Sequence, residues 1–218
     1  MNTPSKEEIS EKYSKLIALL KDLKSSNGGF FYLKNLTKKD KRIPKRGVYL
    51  FFDEAEGYID KEGEIPRIVR VGTHGMFPGN KKSRLFNRLN SHKSNSSNSV
   101  FRKHIGRAII NKNGLNCPNW DIEKGGLWKL DGGYKEVQNL VSEYIEKLPF
   151  LVFELDGDES NNFNYDKRDK KETEWIELLC HAKKFGLVNP SRVWLEFARL
   201  AQRPTFECGL WNVDKVIL

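Results

Sequence analysis

The chain has 218 residues, a formal net charge of +9, and 38% hydrophobic and 11% aromatic residues. That length fits one domain or a compact core with appendages, and the thirteen Phe and five Trp can bury enough area to exclude a disordered polymer. No apolar run approaches the ~18–20 residues that span a bilayer, and no signal-peptide pattern is present. Cys117, Cys180 and Cys208 make neither a zinc pattern nor a disulfide framework, so a cytoplasmic protein with buried, reduced thiols is expected.

Residues 5 to 24 read as a helix. Ser5 and Glu8 fit a capping box, and Ile9, Tyr13, Leu16, Ile17, Leu20 and Leu23 recur at helical spacing. Residues 30 to 33 suit a short strand or a tether. From Lys34 to Arg46 the chain carries seven Lys or Arg against one Asp, which fits either an arm on nucleic acid or a solvated loop. RGVYLFF (46–52) has strand composition. PRIVRVGT (66–73) alternates and stops at Gly72, and the acidic spacer between them (53–65) suits a hairpin loop.

Beyond Gly72, Ser83 can start a helix on which Arg84, Arg88 and His92 form one stripe, with Leu85 and Leu89 packing inward. Ser99 can cap a second helix to about Asn111, with Phe101, Ile105, Ala108 and Ile109 as its apolar face and Arg102, Lys103 and Arg107 turned outward. LWKLD (127–131) is a possible extended piece. Residues 134 to 148 read as an amphipathic helix, and FLVFEL (150–155) as a central strand buried on both sides. An acidic loop (156–164) precedes a helix over 167–184, packed by Trp175, Ile176, Leu178 and Leu179. Asn189-Pro190 caps a last helix to about Leu200, and CGLWNV (208–213) closes the chain as a small docked strand.

The charge is unevenly placed. From Ile65 to Trp120 there is no Asp or Glu, against eleven Lys or Arg, so the remainder holds 27 basic and 29 acidic residues. An acid-free block implies an anionic partner, most commonly nucleic acid; a basic surface kept for solubility is the plainer alternative.

Gly47-Val48-Tyr49, then Arg70-Val71-Gly72, then a helix carrying Arg88 and His92 resemble the GIY-YIG nuclease module. RVGTHG, SVFRKHIG (99–106), RDKKETEWIELL (168–179) and CGLWNV are similar to a bacterial branch of that family, so the resemblance runs from about Arg46 to the C-terminus. It implies an α/β (α+β) fold: a small, largely antiparallel three-stranded sheet flanked by helices, with helical additions at both ends. The expected division is an N-terminal helix and basic connector over 1–44 and the nuclease-like domain with its helical extension over 45–218.

The resemblance also implies a metal-dependent endonuclease acting on DNA. Glu172, a helix-borne Glu before the apolar pair Trp175-Ile176, matches the family's metal ligand, and one carboxylate with phosphate and water suits Mg²⁺ or Mn²⁺. Taken alone it is a solvated helix residue. Tyr49 is the implied general base; a free phenol is a poor base at neutral pH, but cationic neighbours and a metal favour the phenolate. Without that context it is a core tyrosine. Arg88 is the implied clamp on the scissile phosphate, with His92 and His74 as further catalytic candidates. Arg70, Arg84, Lys81, Lys82, Arg102 and His104 are the candidate substrate-binding residues. One departure stands out: the second motif Tyr is replaced by Arg70. It either binds phosphate or weakens catalysis, leaving His74 or His104 for the proton role. The family's downstream Asn has no unambiguous counterpart, Asn189 being one option. The alternatives are a DNA-binding module with weakened catalysis and a structure-selective nuclease of repair or mobile-element type. One site cuts one strand, so a double-strand break needs a homodimer or two sequential events.

Overall fold

A computed structural model of the chain describes residues 4–74, 84–93, 99–120, 132–155, 164–201, 203–212 and 215. Lys81, Lys82, Ser83, the LWKLD piece and nearly all of the acidic loop lie outside the described residues.

The chain begins with α1 (Lys6–Ser26), closed by the reciprocal Ser5–Glu8 capping box. A two-residue strand, β1 (Phe31–Tyr32), and a 3-10 turn (Leu33–Asn35) follow. Then come β2 (Gly47–Tyr58), β3 (Pro66–Gly72), α2 (Leu85–Lys93), α3 (Val100–Asn113), α4 (Tyr134–Glu146), β4 (Pro149–Glu154), α5 (Asn164–Lys184), α6 (Arg192–Arg199) and α7 (Arg203–Cys208).

The sheet has four strands in the order β1-β4-β2-β3, every pair antiparallel. The fold class is therefore α+β as expected, with β1 added at the β4 edge. The expected loop over 53–65 is shorter than the composition suggests, because β2 runs on to Tyr58 with irregular register between Asp53 and Tyr58. Acidic composition there marks exposure on the outer part of a strand, not its end. Ser191, not Asn189-Pro190, caps α6 through its hydroxyl. The short α7 is an addition to the expected elements.

Alternation along β2 divides the core in two. Tyr49 and Phe51 face one layer with Leu85 and Leu89 of α2, Phe101 and Ile105 of α3, and Val137 and Val141 of α4. Val48, Leu50 and Phe52 face the other, with Leu16 and Leu20 of α1 and Trp175, Ile176 and Leu179 of α5. The α1 helix is thus part of the same packed body. Helix α2 comes from one face of the sheet and α5 from the other.

The free edge of β3 is closed by the C-terminal GLWN segment. Trp211 N–H donates to Val69 O at 2.7 Å, and the Asn212 side chain accepts from Val71 N–H (3.1 Å) and donates to Val71 O (2.9 Å). A carboxamide therefore stands in for the next strand and satisfies an edge that would otherwise recruit another chain. The expected docked strand is instead this side-chain pairing. Trp211, fully buried, anchors it among Trp194, Phe197 and Tyr144, at ring separations of 5.3, 5.6 and 6.1 Å. The three cysteines are buried thiols, and among the described residues no helix is long and apolar enough to cross a membrane.

Candidate active site

The motif residues meet where β2 begins and β3 ends. Register places Tyr49 directly opposite Gly72. A Cβ on Gly72 would lie 2.8 Å from Tyr49 Cε2 and closer still to Cζ and the hydroxyl, so the phenol rests on the bare backbone of the second motif. Glycine is needed here for close approach, not for an unusual backbone angle.

The Tyr49 hydroxyl is 2.7 Å from His92 Nε2, and His92 Nδ1 is 2.8 Å from Ser99 Oγ. Ser99 Oγ also accepts from Arg102 N–H at 3.3 Å as the cap of α3. Burial, followed by the charges of Arg88, Arg70 and Arg102, pushes His92 well below the usual imidazole range, so the ring is neutral. A neutral imidazole has one N–H, and either tautomer fits: Nδ1–H donating to Ser99 leaves Nε2 to accept from Tyr49, and the reverse makes Nε2–H a donor to the phenol oxygen. The stripe expected on α2 therefore splits. Arg84 is exposed and Arg88 half-buried, while His92 is sealed against the sheet.

Arg70 occupies the diagonal position beside Tyr49, two residues before Gly72 on β3. It donates to Trp211 O at 2.5 Å and lies 5.5 Å from the Phe101 ring. Burial lowers its pKa; the Tyr49 hydroxyl and Glu172 favour its charge, and Arg88 opposes it. One guanidinium thus senses the phenol, the second guanidinium and the carboxylate, which come from β2, α2 and α5.

Glu172, 8% exposed, accepts from Lys215 Nζ at 2.6 Å, and Asp169, three residues earlier on the same helix, accepts from the same nitrogen at 2.5 Å. Two carboxylates therefore share one cation position. Their hard oxygens are of the kind that suits Mg²⁺ or Mn²⁺. Among the described residues no group of three or more His, Cys, Asp and Glu converges on a metal position. Glu172 and Asp169 would thus hold an ion together with phosphate and water. Glu174 turns away and pairs with Lys171 at 2.7 Å.

His74 is buried and held neutral, its pKa lowered to about 3 by burial and by Arg168, Arg46 and Arg88. His104, likewise lowered to about 3 by burial, Arg107, Arg70 and Lys103, lies inside α3. Arg102 is a correction. Expected to face outward, it is 1% exposed and donates to His92 O, Gln138 O, Gln138 Oε1 and Ser142 Oγ at 2.6 to 3.1 Å, tying α2, α3 and α4 together. Arg67 is also internal, 3.3 Å from Glu56 and 4.3 Å from the Trp194 ring. The acid-free block thus supplies internal guanidinium contacts as well as surface charge, because planar guanidinium groups can be buried by carbonyls and aromatic faces. Asn189 is exposed just past the turn that ends α5, 3.5 Å from Gly186 O. The asparagine beside the second motif is Asn212, which spacing along the chain could not reveal. Motif spelling does not mark Asp169 and Lys215, which pair at 2.5 Å, or Arg168; Arg168 and Asp169 share the Glu172 face of α5. A cavity of about 370 Å³ lined by Asp53, Tyr144, Trp194 and Phe197 lies toward the other end of β2 and contains none of the candidate residues.

A family profile described as the GIY-YIG domain matches residues 7–217. No curated protein and no solved structure matches the chain.

Proposed function

Because the chain belongs to the GIY-YIG domain family, a family of nucleases acting on nucleic acid, we propose that it is a metal-dependent endonuclease that hydrolyses phosphodiester bonds in DNA. The observation that supports this reading is the pairing of Tyr49 with Gly72 across the two motif strands, with the Tyr49 hydroxyl 2.7 Å from His92 of α2; Arg88 and Glu172 lie within electrostatic reach of Arg70 beside that pair. GIY-YIG nucleases typically use a divalent metal. Here Glu172, with Asp169, would hold Mg²⁺ or Mn²⁺, which when bound neutralises phosphate charge and helps the leaving oxygen depart. Tyr49, its hydroxyl held by His92 and lying in the field of Arg70, takes the proton from the attacking water. Arg70 stabilises the phenolate form in which Tyr49 accepts that proton, and the transfer leaves the neutral phenol hydrogen-bonded to His92. Arg88 clamps the scissile phosphate and stabilises the charge that grows on it. Neutral His92 orients the phenol. Tyr49 is fully buried, so its hydroxyl meets water only once the surrounding packing opens. Arg84, exposed at the start of α2, meets a neighbouring stretch of backbone.

The second reading is a DNA-binding module of the same fold with weakened catalysis. It is favoured by that burial, by Lys215 seated on both carboxylates, and by Arg70 in place of the second motif Tyr. Plasmid nicking with Mg²⁺ separates the two. Nicking by wild type and none by Glu172→Ala, with DNA binding kept in both, supports the enzyme. Salt-sensitive binding without cleavage across metals and substrates supports the module.

A further inference from the structure

Arg168 lies on α5 four residues before Glu172, on nearly the same face, and is 7% exposed. Its Nε and Nη1 are buried and have no hydrogen-bond partner among the described residues. Arg46 places a like charge within electrostatic reach of it. A desolvated guanidinium beside a second cation is costly unless an anion joins it. Pairing at the start of β2 explains the neighbourhood: Thr73 Oγ1 donates to Gly47 O at 2.9 Å, and Arg46 and His74 are the chain neighbours of these two residues. Arg168, Arg46 and Arg88 all act on the His74 ring, so three guanidinium groups lie within electrostatic reach of one buried imidazole.

We propose that Arg168, with Arg46, forms a second phosphate subsite beside the scissile position at Arg88, so that one strand is gripped through two backbone phosphates. This rests on the nuclease reading and deepens it, because it predicts a substrate longer than one phosphodiester and a strand whose neighbouring phosphate must be charged. Arg168 is a binding residue in this account and takes no part in bond making.

The test uses full-length protein in a Glu172→Gln background, which holds cleavage off, and oligonucleotides with single neutral methylphosphonates placed on either side of the cut position. Arg168→Met should weaken binding about tenfold and lower the slope of log K against log salt by roughly 0.9 on duplex. One methylphosphonate position should cost the protein that keeps Arg168 about tenfold and the Arg168→Met protein nothing. Arg168→Lys should restore part of the affinity. Thermal midpoints report separately: Arg168→Met should leave the midpoint unchanged or raised, since a buried unpartnered charge is removed. If every methylphosphonate affects both proteins equally, or if the midpoint falls together with binding, the subsite is overturned while the nuclease reading stands. If wild type neither binds nor cuts nucleic acid, both fall.

Discussion

Gly72→Ala tests the close approach on which the site depends. The new methyl would sit 2.8 Å from Tyr49 Cε2 and nearer to Cζ and the hydroxyl, where ordinary contact begins at 3.4 Å. The phenol cannot yield cheaply. It is fully buried, lies 5.7 Å from the Phe51 ring and 5.4 Å from the His92 ring, and is tied to His92 at 2.7 Å. Clearing the methyl moves the ring by more than half an ångström and breaks that tie. Overpacking costs about 1–3 kcal/mol, and leaving a buried hydroxyl and imidazole unsatisfied adds about 1–3 kcal/mol. The lower backbone entropy of Ala in the unfolded chain returns about 0.4–1 kcal/mol. The clash therefore wins, with a net destabilisation of about 1–6 kcal/mol, and nicking should fall about a hundredfold as the phenol loses its place. Denaturant unfolding measures the first and a plasmid assay the second. The double mutant with Tyr49→Ala should show the second substitution as nearly neutral. A Gly72→Ala protein with wild-type stability and activity would refute the reasoning.

Asn212→Ala should destabilise the protein by about 2–4 kcal/mol, because both polar groups of Val71 lose their partner at a buried edge; guanidinium unfolding measures it, and self-association by sedimentation shows whether the bared edge recruits a second chain. Lys215→Met, by freeing Glu172 and Asp169 from one ammonium, should lower the Mg²⁺ concentration needed for half-maximal nicking by roughly threefold to tenfold; a raised requirement would mean that the lysine assists the ion. For pH, His74 and His104 have folded pKa values near 3, below the unfolded 6.5. Their contribution is full above pH 6.5 and is lost as pH falls toward 3, because the unfolded chain binds the protons first. Each can steepen acid destabilisation by up to about 1.4 kcal/mol per pH unit. His104→Phe should flatten the stability profile in that window, and an unchanged profile from unfolding at pH 4, 5 and 6 would contradict the burial argument.

Local chemistry alone specified most of the helices, the inner halves of the hairpin strands and the layer each apolar residue joins, but neither the short α7 nor the run of β2 to Tyr58. Ser5 and Glu8 close α1 within a single turn, and alternation along β2 sorts Tyr49 and Phe51 from Leu50 and Phe52. Such features depend on near neighbours in the chain, so they can be read from near neighbours in the sequence. Motif spelling reached further, naming Tyr49, Arg88 and Glu172. What spelling could not decide is which charges turn inward. Arg102 and Arg70 lie in the same basic run, yet Arg102 bolts three helices together while Arg70 stands beside the phenol, because their partners, Gln138 and Trp211, come from elements 36 and 141 residues away. Asn212 closing β3 and Lys215 bridging Asp169 and Glu172 arise in the same way, from the C-terminal segment folding back over a sheet edge. Hydrogen bonds and ion pairs act over a few ångströms, so the tertiary fold alone determines which distant groups come within reach.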